Sequence, residues 1–210
     1  MRCFIFLIPL LMGGCMSSQL PIQVYKVEVE PFTWVDNSEK ILVQIPRMRD
    51  PLEFNLMADV YPTTLKELGF REVWDSAEHE LELIAAGVRD YSLDRNIRRL
   101  YDNLGVYYLL DITLVRRELF HDGYIKVERW NPLTNDYYSD FTFRGYETDH
   151  SLFLRYTLYR TDNAIKLAEM EVRSFHKFNN KLIPNQFRRE IKELFNQIYL
   201  TYPNLSLAEN

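Results

Sequence analysis

The chain has 210 residues, of which 47% are apolar, 14% aromatic and 26% charged, and its formal net charge is −5. This composition excludes a disordered chain, because the apolar surface is large enough to offset the entropy lost on ordering. The net negative charge argues against a nucleic-acid partner held by a basic field, and the length predicts a single domain with at most a small appendage.

The N-terminus has the pattern of a targeting segment. Arg2 precedes a nine-residue apolar run at residues 4–12, which is shorter than the roughly 20 residues that span a bilayer. Two small residues, Gly13 and Gly14, then lead directly to Cys15. A short basic start, an apolar run and small residues before a cleavage point are typical of a secretory signal. The sequence therefore predicts that residues 1–14 are removed.

The end of this segment, Leu11-Met12-Gly13-Gly14-Cys15, resembles the lipobox of bacterial lipoproteins. The resemblance implies that Cys15 is lipidated, with palmitate among its acyl chains, and that it anchors the chain nearly irreversibly in a membrane. Because residue 16 is Met and not Asp, it also implies the periplasmic face of the outer membrane. An ordinary secreted protein with a chance cysteine is the alternative.

The next segments predict a tether followed by strand, helix and strand. Residues 15–39 form the lipid anchor and tether, within which residues 24–30 alternate as a peripheral strand would. Residues 41–45 predict a buried strand. Asp50 and Pro51 then start a helix, which Pro62 can kink or divide and which Gly69 ends. Residues 70–74 predict a second short strand.

Two further helices are expected before the sequence changes period. The first begins near Ser76, and its apolar stripe is formed by Leu81, Ile84, Ala85 and Val88. The second is capped by Ser92 or Asp94 and ended by Gly105, and its apolar positions are Leu93, Ile97, Leu100, Tyr101 and Leu104.

The second half predicts strands and one final helix. Strands are expected at residues 106–119, 124–130, 140–146, 152–160 and 165–175, with a hairpin turn at Asp162-Asn163. A helix starting at Pro184 or Asn185 then buries Phe187, Ile191, Leu194, Phe195 and Ile198. Its polar side carries Arg188, Arg189, Glu190, Lys192 and Glu193.

This order of elements predicts an α+β fold. We expect a mixed sheet with helices packed on one face, in the order β-α-β-α-β, followed by a β-meander and a C-terminal helix. Residues 40–203 form one domain, and residues 204–210 form a tail.

The same order resembles a known periplasmic domain. The resemblance covers roughly residues 40–200 and is carried by residues 41–46, by the helix end at residues 65–70 and by the strand entry at residues 103–111. The domain is shared by the curli-export lipoprotein, the N-terminal domain of the Tol-system β-propeller protein and lipoprotein activators of peptidoglycan synthases. The resemblance implies a docking or assembly module, and it carries over no functional residue.

The residue patterns predict no catalytic residue, no metal and no cofactor. His79-Glu80-Leu81-Glu82-Leu83 begins like a zinc-protease helix but has Leu83 where the second His must stand. The pairs His121-Asp122 and Asp149-His150 are expected in turns, and no third ligand follows at regular spacing. No nucleophile elbow or phosphate-binding loop appears. Chance carboxylate pairs still leave an envelope hydrolase as the third and weakest hypothesis.

Aromatic residues crowd the predicted hairpin region. Trp130, Tyr137 and Tyr138 flank its turn, so we expect them outside the core as candidate interaction residues. The alternative is packing on a sheet face, because aromatic residues favour strands. The arginine doublets Arg98-Arg99, Arg116-Arg117 and Arg188-Arg189 indicate either solvated charges or contacts with anionic lipid or glycan.

The function expected from these patterns is non-catalytic. The first hypothesis is an assembly or accessory factor of a secretion, motility or cell-wall machine. Its partners would be the membrane, through the N-terminal lipid anchor, and another envelope protein or further copies of itself. The alternative is a lipid- or glycan-binding transport-auxiliary lipoprotein.

Overall fold

The computed structural model describes residues 22–91, 93–121, 124–131, 133–134, 136–143, 150–176 and 182–201. The predicted signal peptide, the lipidation site Cys15 and the tail at residues 204–210 lie outside the described residues. Among the described residues, no helix is long and apolar enough to cross a bilayer.

The described residues form eight strands and four helices. Their bounds are β1 Ile22–Val29, β2 Lys40–Gln44, α1 Pro51–Glu67, β3 Glu72–Asp75, α2 Glu80–Ala85, α3 Asp94–Leu104, β4 Tyr108–His121, β5 Tyr124–Asn131, β6 Asp136–Phe143, β7 His150–Arg160, β8 Ile165–His176 and α4 Pro184–Thr201. The predicted α+β class, mixed sheet and C-terminal helix are confirmed. The strand predicted at residues 24–30 is β1, which lies at one edge of the sheet. Strand β6 begins four residues earlier than predicted.

The sheet is organised around the long strand β4. The strand order is β1-β8-β7-β4-β2-β3, in which β2 is parallel to β3 and β4 while β7 and β8 are antiparallel to their neighbours. One edge of β4 pairs with β7. Its other edge pairs first with β2, at residues 108–111, and then with β5, at residues 116–121. The β5–β6 hairpin therefore continues the sheet beyond the end of β2.

Helices α1 and α4 cover what we call the front face of the sheet. Their core residues are fully buried against alternate positions of β2, β4, β7 and β8, as period-two strands require. The five residues predicted for the apolar side of α4 are all buried. Glu190 is a correction: the sequence placed it on the polar side, yet it is completely buried. The reason is a hydrogen bond from Tyr156, which gives the carboxyl group a partner inside the core.

Helices α2 and α3 pack on the opposite, back face, which the prediction did not anticipate. Leu83, Ile97 and Leu100 meet the back-face residues Leu42 and Leu109 in a second, smaller core.

The stripe predicted for α2 is wrong in three of its four residues. Leu81 and Ile84 are 80% and 51% exposed, and Ala85 is exposed as well, whereas Val88 is buried as predicted. Because α2 has fewer than two turns, the turn that follows it sets its orientation. The positive φ of Gly87, +76°, leads the chain to Val88, which shares the contact with Leu83.

The helix ends follow the sequence closely. The side chain of Asp50 accepts a hydrogen bond from the backbone N–H of Leu52 at 2.9 Å, as predicted for an N-cap. Pro62 lies inside α1 without dividing it. At α3 the N-cap is Leu93, with no side-chain cap, instead of Ser92 or Asp94. Gly105 ends α3 with φ +63°, the left-handed conformation expected there.

Candidate functional site

The back face is covered by α2 and α3 only at the end formed by β2, β3 and the start of β4. Farther along, Tyr25 on β1, Val115 on β4 and Arg129 on β5 remain exposed. Large exposed apolar and aromatic side chains beside a basic residue indicate a contact surface more than a solvated one.

Two irregular positions in the sheet shape this region. The register of β4 against β7 shifts between Leu114 and Arg116, and the register of β1 against β8 shifts between Val24 and Lys26. Each β-bulge inserts one residue, Val115 and Tyr25 respectively, and reverses the alternation that follows it. The bulge in β4 therefore turns Arg116 to the back face and Arg117 to the front face.

A shallow groove of about 410 Å³ lies at these bulges. We call it the sheet groove and define it by Tyr25, Val115, Arg116, Arg129 and Phe153. Glu171 also lines the groove, where Arg155 pairs with it at 2.8 Å. The aromatic and arginine residues of the groove are of the types enriched in the energetic centres of protein interfaces.

Stacking contacts fix the aromatic floor of the sheet groove. The guanidinium of Arg116 lies 3.7 Å from the ring centroid of Phe153, and the ring of Tyr25 stacks on Phe153 at 6.0 Å. Arg173 lies over Phe153 at 5.5 Å and over Phe175 at 4.6 Å. These cation–π contacts hold two arginine side chains flat against the sheet.

Positive charge exceeds negative charge at the sheet groove. Arg116 and Arg173 share one carboxylate, that of the buried Glu118, at 3.0 and 3.3 Å. The Nε of Arg116 is buried and makes no hydrogen bond among the described residues. Arg129 stands directly opposite Arg116 in the register and has no ion pair in the described part of the chain. Directly opposed like charges are unfavourable, so this arrangement suits an anionic partner group.

The three predicted interaction residues are divided between the two faces. Tyr138 is opposite Arg129 in the register and 48% exposed, so it extends the sheet groove on the back face. Tyr137 and Trp130 point to the front face, with their rings 5.1 Å apart. Both are half-buried, and Tyr137 packs against the main core.

The front-face pair fastens the hairpin to the loop before α1. The hydroxyl of Tyr137 donates to the backbone carbonyl of Arg47, whose guanidinium lies 6.0 Å from the ring centroid of Trp130. Arg49 reaches Glu128 at 3.5 Å. Burial raises the pKa of Tyr137 to about 12, so it remains a neutral donor. Trp130 and Tyr137 thus hold the hairpin in place.

A buried polar cluster, which no sequence pattern predicted, lies behind this contact on the front face. Arg117 donates to both carboxylate oxygens of Glu53, at 2.7 and 2.5 Å, and its Nε donates to Nε2 of His150 at 3.1 Å. Burial raises the pKa of Glu53, although Arg117 opposes that shift.

The histidines of this cluster are neutral for the same reason. Burial lowers the pKa of both His150 and His176 to about 3. The placement expected for His150 is corrected, because it lies at the start of β7 and is 99% buried, not in a turn. Its predicted partner Asp149 lies outside the described residues, as do Asp122 and the side chain of His121.

A carboxyl–phenol chain completes the cluster. The hydroxyl of Tyr156 donates to Oε2 of Glu190 at 2.7 Å, and the hydroxyls of Tyr156 and Tyr61 are 3.5 Å apart. Burial raises the pKa of Glu190 to about 7. All three side chains are completely buried, so these groups stabilise the core and do not face a ligand.

One cluster of the described residues has the composition of a cation site. Single ligand atoms of Asp75, Glu78 and His79 lie within 4.8 Å of one another, a grouping the sequence analysis did not identify. The turn itself explains the arrangement: Oδ1 of Asp75 accepts from the backbone N–H groups of Ala77 and Glu78, and His79 stacks on Trp74 at 4.1 Å. We therefore assign no metal to it.

Comparison with known proteins gives no family. No protein-family model matches the chain, and no curated protein matches it. Among solved structures, it is similar to the PelC dodecamer from Paraburkholderia phytofirmans, at 8% identity and a TM-score of 0.45, covering 84% of this chain and 96% of that one. It is also similar to lipoprotein GNA1162 from Neisseria meningitidis, at 15% identity and a TM-score of 0.45, covering 77% and 99%. Because both TM-scores are below 0.5, the function of this chain must be argued from its own residues.

Proposed function

We propose that the chain is a non-catalytic envelope lipoprotein that acts as an assembly or accessory factor by docking a partner protein in the sheet groove. The observation that supports this function is the groove itself, in which Arg116 and Arg129 lie beside Tyr25 and Phe153 on an uncovered part of the sheet. Arginine and tyrosine in a partly desolvated depression are the residues that carry most binding energy at protein interfaces.

The charges of the groove indicate the chemistry of the partner. Arg129 is exposed and makes no ion pair among the described residues, and Arg116, about a third exposed, shares the carboxylate of Glu118 with Arg173. A partner carboxylate can accept from both guanidinium groups, and the aromatic floor can bury an adjacent apolar side chain. The proposed occupant is therefore an acidic segment of a protein that also carries apolar side chains.

The predicted lipid anchor places this docking surface in the bacterial envelope. With residues 1–14 removed as a signal peptide and Cys15 lipidated, the domain stands on the periplasmic face of the outer membrane, close to the lipid surface. A lipid-anchored domain that docks another protein fits a secretion, motility or cell-wall machine.

A pull-down tests this proposal. The full chain, tagged at its C-terminus, is extracted from membranes in mild detergent, and the bound proteins and lipids are analysed by mass spectrometry. We expect a stoichiometric protein partner that is lost in Arg129→Glu and kept in Lys66→Glu, a charge reversal at an exposed position of α1 on the front face. A retained lipid or glycan without any protein would instead favour the transport-auxiliary alternative.

A further inference from the structure

Helix α2 presents an acidic and apolar surface to solvent. Its side chains Leu81 and Ile84 are 80% and 51% exposed, and Glu80, Glu82 and the preceding Glu78 are exposed as well. Of the large apolar residues of α2, Leu83 packs in the back-face core, whereas Leu81 and Ile84 point outward from the same side of the helix. An exposed apolar surface rimmed by carboxylates has the composition of a contact site.

The charges on α2 are the opposite of those in the sheet groove. The helix contains no basic residue, and neither Glu80 nor Glu82 forms an ion pair within the described residues. The groove has a complementary set beside its apolar and aromatic side chains: Arg129, which is exposed and makes no ion pair among the described residues, and Arg116, which shares the carboxylate of Glu118 with Arg173. Glutamates flanking the exposed Leu81 thus match arginines beside the exposed Tyr25 and Val115.

The two surfaces lie on the same face of the sheet, at its two ends. Helix α2 covers the end near Leu109 of β4, and the groove lies at Val115, about 20 Å farther along the strand. Two copies placed face to face about a two-fold axis would each bring α2 to the groove of the other. Such an isologous arrangement satisfies both surfaces at once and closes the assembly at two subunits.

We infer that the acidic segment that docks in the sheet groove is α2 of a second copy of this chain. In this dimer Glu80 and Glu82 pair with Arg116 and Arg129, and Leu81 and Ile84 pack on Tyr25, Val115 and Phe153. The inference rests on the proposed function, since it names the occupant of the same docking surface.

A charge exchange between the two surfaces tests this contact. The full chain, purified in mild detergent, is examined by multi-angle light scattering and native mass spectrometry over a range of concentrations. We expect a dimer for the wild type, and a dissociation constant raised more than about tenfold in Arg129→Glu and in Glu82→Arg, because each places like charges together. The double variant Arg129→Glu with Glu82→Arg should recover the dimer.

Controls separate the contact from effects on folding. Lys66→Glu reverses a charge on α1, on the front face, and should leave the dimer intact, whereas Leu81→Ser removes an exposed side chain without touching the core and should weaken it. A monomeric wild type, or a dimer that these changes do not weaken, overturns the inference, and so does a double variant that stays monomeric.

The outcome also separates this inference from the proposed function. A monomer that still captures a different acidic protein through Arg129 keeps the docking function and overturns the second copy as occupant. A dimer restored by the charge exchange, with no further protein captured, supports the second copy and contradicts a role in docking other envelope proteins.

Discussion

The two faces of the sheet use the same residue types for different purposes. On the front face, Arg117 and Glu53 are more than 90% buried, and each uses its hydrogen bonds on the other or on a buried neighbour. On the back face, the adjacent Arg116 is about a third exposed and shares its carboxylate with Arg173. A charge that is enclosed with its own partner therefore serves the fold, whereas partly exposed cations that share one carboxylate keep donors available for recognition.

The largest expected effect comes from breaking the front-face pair. Arg117→Met leaves the carboxylate of Glu53 buried without its cation, so we expect the free energy of unfolding to fall by about 3–5 kcal/mol. Arg116→Met, the same change one residue away, should cost about 1 kcal/mol or less, because its ion pair is partly exposed. Urea denaturation followed by circular dichroism measures both. Equal losses would contradict the division between the faces.

The second-largest effect is expected from Glu190, which should make the free energy of unfolding depend on pH. Its pKa is about 7 in the folded chain and 4.5 when unfolded, so the folded state holds the proton more tightly. Stability from this group is therefore present below pH 4.5 and is lost as the pH rises to 7. Glu190→Gln should gain about 3 kcal/mol relative to the wild type between pH 4.5 and 8. Urea titrations at these pH values check this, and a constant difference would contradict it.

The buried histidines should produce the opposite slope. The pKa of His150 is about 3 in the folded chain, below its ordinary value of 6.5, so the unfolded state binds the proton first. Stability from this group is lost as the pH falls below 6.5, by about 2 kcal/mol between pH 6.5 and 5. His150→Gln keeps an acceptor for Arg117 but cannot titrate, so its stability should fall less over this interval. Thermal unfolding at the two pH values measures it, and an unchanged slope would show that His150 titrates normally.

The smallest effect on stability is expected on the back face. Arg129→Gln removes an exposed side chain without an ion pair in the described part of the chain, so the free energy of unfolding should change by less than about 0.5 kcal/mol. The same substitution should weaken partner binding measurably. If Arg129→Gln lowered the stability and left binding unchanged, Arg129 would serve the fold and not the docking of a partner.

Much of the fold could be predicted from the sequence because alternation and helix end signals are local. The strands of the second half, the buried side of α4, Asp50 as N-cap and Gly105 as helix end all follow from neighbours in the chain. The bulges at Tyr25 and Val115 could not be predicted, since a one-residue register shift depends on the partner strand. They decide that Arg116 and Arg117 point to opposite faces. The sheet groove was missed for that reason, although Tyr138 at its margin was named.

The orientation of α2 could not be predicted from local sequence patterns either. Apolar spacing predicts which residues can share a face, but Leu81 and Ile84 turn outward because Leu83 and Val88 make the contact with the sheet. Likewise Glu190, in a helix of alternating charge, is buried because Tyr156 from a distant strand supplies its hydrogen bond. Both departures depend on tertiary contacts.

Site-specific photo-cross-linking in living cells shows whether the sheet groove docks a protein. A photoreactive phenylalanine derivative replaces Val115 in the sheet groove, and in a control chain it replaces Leu52, which is 77% exposed on α1. We predict a protein adduct from position 115, with the second copy of this chain as its main component, that is absent from position 52. No protein adduct at position 115, or the same adducts at both positions, would contradict the assignment of the groove as a docking surface.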